Sequence, residues 1–234
     1  MGTAACAALD AADDLELVAT VGRSDTLRAF AEAGCQVVVD FSSAEAARIA
    51  LPWLAIHGIH AVSGTTGLTS DDLEAIGRAF ADSDAHCVWA PNFAVSAVLL
   101  MRFAELAAPW FDTVEVVEYH HNAKADAPSG TALATAERIA AARHGIPWAT
   151  DPTTHEVLSG ARGGSGPSGV RVHGVRMAGM NPHQEVLFGT TGQTLTLRQD
   201  SYDRSSFMPG VLLACRRIGD HPGLTLGLDA LLGS

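Results

Sequence analysis

Apolar positions follow two different spacings along the chain. Val37-Val38-Val39-Asp40-Phe41 is a continuous apolar run, the kind that parallel sheets bury on both faces. His60-Ala61-Val62-Ser63 and His86-Cys87-Val88-Trp89-Ala90 read as further short strands, and residues 15–21 as another. Between them, helices are predicted over 3–12, 25–33, 43–57 and from Ser70 as a cap, with Asp71 and Asp72 in the first turn of the last. Gly34 and Gly58 are the natural stops. This alternation of strand and helix predicts an α/β, doubly wound (Rossmann-like) parallel sheet.

Beyond residue 93 the pattern changes. A long apolar helix is predicted over 93–110, then a strand in which Val114 and Val116 face one way and Glu115 the other. A helix follows, from a Pro-Ser-Gly-Thr step to about Arg143. Residues 154–158 read as a strand and 159–169, rich in Gly and Ser, as a loop. Segments 170–175, 184–188 and 194–198 alternate apolar and polar, with Thr191-Gly192 as a hairpin turn. The expectation is a second, α+β domain with a mixed or antiparallel sheet and helices on one side. Such a sheet leaves a face for a partner subunit to cover. A last helix over 209–218 returns the chain to the first domain. The domains expected are 1–93 with 205–234, and 94–204.

Composition narrows the function. A net charge of −11 argues against a nucleic-acid partner held by its phosphates. No apolar run is long enough to span a membrane. The first residues lack a basic segment and carry Asp10, Asp13 and Asp14, so no signal peptide is visible. Cys6, Cys35, Cys87 and Cys215 are far apart and read as reduced packing residues of a cytoplasmic protein.

The richest chemistry lies in His120-His121-Asn122-Ala123-Lys124-Ala125-Asp126-Ala127-Pro128-Ser129-Gly130-Thr131. The reading places both histidines and the lysine in a loop between a strand and a helix, with Ser129 or Thr131 as helix cap. Imidazole titrates near neutrality, so His120 or His121 can give or take a proton, and Lys124 offers a cation or a proton. Gly130 lets a ligand approach the backbone, and the first N–H groups of a helix attract a carboxylate. Together they describe a pocket for a small acidic molecule to which a proton is delivered. Histidines at a strand end also occur with no chemical role, and Pro-Ser-Gly-Thr is an ordinary helix start. A zinc site is disfavoured, because no Cys or Glu follows at a ligand spacing.

This run resembles the signature of the 4-hydroxy-tetrahydrodipicolinate reductase (dihydrodipicolinate reductase) family, of the diaminopimelate route to lysine. The likeness is to actinobacterial-type members and extends from Gly2 to Leu232. The resemblance implies reduction of a small cyclic dicarboxylate by NADPH or NADH, in a homotetramer built through the second domain. It implies His120 as proton donor or acceptor, Lys124 as a second proton donor, and His121, Gly130 and Thr131 as substrate contacts. At Ala123 many members carry a further His. Arg204 is an additional candidate carboxylate partner.

In the first domain, Gly64-Thr65-Thr66-Gly67 and Ala90-Pro91-Asn92-Phe93 end two strands, where doubly wound sheets bind ligands. The resemblance assigns Gly64, Thr65 and Thr66, and Ala90, Pro91, Asn92 and Phe93, to the nicotinamide half of the cofactor. Where an acid is expected for the adenosine ribose stands Gly22, followed by Arg23, which suits a 2′-phosphate. The fold is expected to open with a strand and a Gly-x-x-Gly-x-x-Gly loop that grips the pyrophosphate. Met1-Gly2-Thr3-Ala4 aligns with the end of that loop, with Gly2 as its last glycine. The expectation is that upstream in-frame codons encode the strand and two further glycines. Two other readings stay open: another two-domain nicotinamide oxidoreductase, and a cofactor-poor binding or regulatory relative.

Overall fold

The computed structural model of the protein describes residues 1–22 and 24–233. They divide into two compact units, Met1–Val95 with Arg204–Ser234, and Ser96–Asp203. The chain begins with α1 (Gly2–Asp10), α2 (Arg28–Glu32), β1 (Val37–Asp40), α3 (Ala44–Ile56), β2 (His60–Ser63), α4 (Ser70–Ala81) and β3 (Cys87–Trp89). It continues through α5 (Val95–Ala107), β4 (Thr113–His121), α6 (Gly130–Ala142), β5 (Gly164–Ser165), β6 (Arg171–Met177), β7 (His183–Thr190) and β8 (Gln193–Asp200). It closes with α7 (Met208–Arg217) and β9 (Leu224–Leu226). Among the described residues no helix is long and apolar enough to cross a membrane.

The first unit holds a four-stranded sheet in the order β1-β2-β3-β9, parallel throughout. Val62, Val88 and Cys87 are fully buried, as expected of strands covered on both faces. Gly34 and Gly58 take φ of +70° and +68° at the ends of α2 and α3, where a side chain would be strained. The cap of α4 is Thr69 rather than Ser70: its hydroxyl accepts from Asp72 N–H while the Asp72 carboxylate accepts from Thr69 N–H. Ser70 becomes the first helical residue.

Two segments read as strands are not strands. Residues 15–21 keep the alternation, with Leu15, Leu17, Ala19 and Val21 partly covered and Glu16, Val18 and Thr20 exposed. They stay extended without a ladder, because among the described residues no strand lies beside them. Residues 154–158 are exposed, Val157 and Leu158 included, so little packing rewards strand formation there. Conversely β9, unforeseen, pairs with β3 through Cys87↔Leu224 to Trp89↔Leu226.

The second unit is a mixed five-stranded sheet, β5-β6-β4-β7-β8, in which β4 runs parallel to β6 and antiparallel to β7. One face carries Val114, Val116, Val172, Val186 and Phe188, packed with Ala132, Ala136 and Ile139 of α6 and with Leu100 and Ala104 of α5. Buried Arg143, just past α6, donates to the carbonyls of Ala108, Phe111, Ile146 and Pro147 and lies over the Trp148 ring. The other sheet face, with Glu115, Tyr119 and Leu187, is partly exposed. The predicted hairpin is present, with β7 and β8 joined at Thr190↔Gln193 and Gly192 at φ +80°.

Candidate active site

His120 and His121 were expected in a loop, but they are the last two residues of β4. The strand outlasts its apolar stretch because β6 continues beside it, pairing His120 with Arg176 and His121 with Met177. Strand alternation then fixes the directions. Glu118 and His120 share the face of Val114 and Val116, towards α6, while His121 shares the opposite face and is exposed.

Glu118 is a fully buried carboxylate on the face that packs against α6. Such a charge is costly unless paired and hydrogen-bonded. Arg176 donates through Nη2 to Glu118 Oε1 at 2.8 Å and through Nη1 to Oε2 at 2.9 Å. Ser129 N–H donates to Oε1 at 3.1 Å, and His120 Nδ1 lies 2.5 Å from Oε2. Burial pushes the Glu118 carboxyl up, but Arg176 and His120 outweigh it and hold it below the usual range, so it is ionised. Gly174 pairs with Glu118 across the sheet, and a Cβ there would sit 3.1 Å from Oε1. Burial lowers the His120 pKa below an ordinary imidazole's; Glu118 opposes that shift, and the charges of Lys124 and Arg176 add to it.

After β4 the chain turns at once, with Lys124 N–H donating to the His121 carbonyl. Lys124 Nζ reaches Asp126 at 2.7 and 2.9 Å, and Arg176 also donates to the Asp126 carbonyl. Ser129 is the cap of α6: its hydroxyl accepts from Ala132 N–H at 3.2 Å. Gly130 and Thr131 are therefore the first two helical residues, at the positive end of the helix dipole. His120 at the end of β4, Lys124 in the turn, and Gly130 and Thr131 at the start of α6 thus lie within twelve consecutive residues, with Glu118 behind His120. Neither Glu118 nor Arg176 was singled out from the sequence. Glu118 carried a signal, a charge on the apolar side of the alternation; Arg176 is visible only through the β4–β6 register.

In the first unit, Gly64-Thr65-Thr66-Gly67 and Ala90-Pro91-Asn92-Phe93 follow the carboxyl ends of neighbouring strands β2 and β3. Asp40, at the end of β1, anchors the first loop. It accepts from Ser63 and Thr65 hydroxyls at 2.8 Å each and from Ser42 N–H at 3.0 Å. Thr65 also donates its N–H to Ser63 Oγ and accepts at its carbonyl from Trp89 Nε1. Every polar atom of buried Thr65 is thereby engaged within the protein, and its part is to hold the loop. Gly64 lies close under an aromatic ring: an added Cβ would be 2.1 Å from Phe41 and would force that ring to shift. Thr66 and Gly67 are exposed, and their N–H groups make no hydrogen bond within the described residues.

Ala90 and Phe93 are buried, Pro91 is exposed, and Asn92 Oδ1 accepts from Ala94 N–H. Phe93 packs edge-on against Phe41, and α7 seats against its carbonyl at Gly210, where a Cβ would be 2.1 Å from Phe93 O. Open main-chain donors at the carboxyl end of a parallel sheet fit the amide and phosphate groups of a dinucleotide. Gly2 is the first residue of α1, with open space around it. Arg23 lies outside the described residues. Arg204 opens a 3₁₀ turn that leads into α7.

Fold and site together define an α/β protein of the dinucleotide-binding class, with a second domain that carries a histidine–lysine turn. Comparison with known proteins makes this particular. Residues 1–93 match the family model "Dihydrodipicolinate reductase, N-terminus" and residues 96–232 the model "Dihydrodipicolinate reductase, C-terminus". The chain belongs to the dihydrodipicolinate reductase family. It is 57% identical to the 4-hydroxy-tetrahydrodipicolinate reductase of Nocardia farcinica, over 99% of this chain and 94% of that one. The enzyme of that name from Corynebacterium aurimucosum is 52% identical over 100% and 94%. Among solved structures, the dipicolinate-bound dihydrodipicolinate reductase of Paenisporosarcina sp. TG-14 superposes with a TM-score of 0.86 at 34% identity, covering 98% of this chain and 94% of that chain.

Proposed function

We propose that the chain reduces 4-hydroxy-tetrahydrodipicolinate, with loss of water, to tetrahydrodipicolinate in the diaminopimelate route to lysine. The observation that carries this reading is the β4–α6 turn. A half-buried imidazole, an ammonium and a helix N-terminus occupy twelve consecutive residues, in a chain of this family.

The substrate class follows from the turn's chemistry. Gly130 and Thr131 present the first N–H groups of α6 to a carboxylate of a small cyclic dicarboxylate; His121, on the opposite face of β4, is a substrate contact implied by the resemblance alone. NADPH or NADH, when bound, supplies the hydride. His120 holds at Nε2 the proton that goes to the ring system, and Lys124 is a second proton donor. A positioned acid of this kind is typically worth about 10²–10⁴-fold. The Lys124–Asp126 pair is exposed on the Asp126 side, so an incoming carboxylate can compete for the ammonium.

Residues 1–93 and 205–234 serve as the dinucleotide-binding domain, with Gly2, Gly64, Thr65, Thr66 and Ala90 through Phe93 around the cofactor. Residues 94–204 serve as the substrate and assembly domain. The part-exposed sheet face opposite α5 and α6 is the surface that a homotetramer covers. Gly22 in place of an acid, followed by Arg23, favours acceptance of NADPH at least as well as NADH, in a cytoplasmic enzyme.

The test is a coupled assay with the upstream synthase and either cofactor. Oxidation of the nicotinamide dependent on the synthase product supports the reading. Binding of that product without oxidation, or turnover only of some other carbonyl or imine, contradicts it. A KM strongly favouring NADH contradicts the role given to Arg23.

A further inference from the structure

We infer that Glu118, clamped from behind by Arg176, is a positioning residue that fixes the tautomer and direction of His120. The inference rests on the proposed role of His120 as proton donor.

The geometry is specific. An ionised carboxylate only accepts hydrogen bonds, so the ring nitrogen 2.5 Å from Glu118 Oε2 carries its hydrogen toward the carboxylate. Nδ1 is thereby committed, and Nε2, on the far side of the ring, is left to exchange a proton with a ligand. Glu118 has no freedom to follow the imidazole if it moves. Its two oxygens take two bonds from Arg176 on β6 and one from Ser129 N–H at the cap of α6. One buried carboxylate therefore ties the end of β4, the end of β6 and the start of α6 together. The groups that lend the turn its substrate contacts and the group that holds the proton are set against the same anchor.

Arg176 has a second effect. Without it, the buried anion would be balanced mainly by drawing a proton onto His120, and the imidazole would stay charged to higher pH. With the guanidinium on both oxygens, His120 sees a compensated carboxylate. The charged groups facing His120 are then Glu118 on its own strand, Arg176 across the sheet and Lys124 in the turn. Burial and the two cations outweigh Glu118, so the proton on Nε2 is released readily.

Three measurements test this. In wild-type protein, ¹⁵N shifts of the His120 ring above its pKa should report hydrogen on Nδ1 and none on Nε2; the reverse tautomer overturns the inference even if no variant folds. In Glu118→Gln, kcat should fall by about 10²-fold or more, as expected for a misdirected general acid. KM should change much less, and the basic limb of the pH profile should move to lower pH. Glu118→Asp, which keeps the charge, should recover part of kcat. A Glu118→Gln enzyme with unchanged kcat and pH profile, beside an inactive His120→Ala, overturns the positioning role and leaves the proposed function intact. An active His120→Ala enzyme instead removes the reading on which the inference rests.

Discussion

Both candidate regions are built on a buried carboxylate, but its partners differ. At the β4–α6 turn, charge does the organising: a buried carboxylate, a guanidinium and an imidazole fix one another, and the ligand-facing groups extend from that knot. At the ends of β1 to β3, hydroxyls and main chain do it, with Asp40 holding Ser63 and Thr65 and aromatic rings filling the space beneath. The first region suits a step in which a proton moves. On the proposed reading, the second suits a fixed seat for the nicotinamide that gives up the hydride.

If that contrast is right, substitutions in the two regions should fail differently. The largest effects belong to the charged turn. His120→Ala and Lys124→Ala should each lower kcat by about 10²–10⁴-fold in the coupled assay, with cofactor Kd nearly unchanged. Equal losses in cofactor affinity and turnover would erase the distinction. Asp40→Ala should do the reverse. It strands the Ser63 and Thr65 hydroxyls and Ser42 N–H, at a cost on the order of 2–4 kcal/mol. The expected result is a lower midpoint in thermal unfolding and weaker cofactor binding.

A smaller loss, about 1–3 kcal/mol, is expected for Gly210→Ala, because the new Cβ meets the Phe93 carbonyl. It should appear as a lower unfolding midpoint and a raised cofactor KM. The pH dependence sharpens the contrast further. Burial lowers the His120 pKa, so the proton donor is lost as pH rises through a value below about 6.5, the usual imidazole pKa. The basic limb of kcat/KM should therefore begin on the acid side of that value and vanish in His120→Ala. The smallest effect is expected for Ser129→Ala, which removes the α6 cap for about 1 kcal/mol but keeps the N–H to Glu118.

Much of this organisation is legible in the order of residues. Parallel strands announce themselves by unbroken apolar runs, as at Val37-Val38-Val39, and Gly34 and Gly58 mark helix ends because only glycine is at ease at positive φ. The His-His-x-x-Lys…Ser-Gly-Thr run offers proton donors and a helix start by residue type, and the family resemblance is what sets that reading above an ordinary polar turn. What sequence hides is whatever needs a neighbour. Residues 15–21 have a strand's alternation but, among the described residues, no partner to make a ladder, and β9 is three residues whose identity as a strand comes only from pairing with β3. Arg176 lies 58 residues from Glu118 in the chain, and only the β4–β6 register places it beside His120. Asp40 looks like the polar end of an apolar run until Ser63 and Thr65 are seen on its carboxylate.

The central claim is that the β4–α6 turn delivers a proton to a cyclic dicarboxylate while a nicotinamide reduces it. The most direct measurement follows the near-ultraviolet absorbance of NADPH after the synthase product is added to wild type and to Lys124→Ala. The account predicts rapid loss of absorbance with wild type and a rate lower by at least about 10²-fold with the variant, at equal cofactor occupancy. Equal rates in the two proteins, or an unchanged absorbance with wild type, would contradict it.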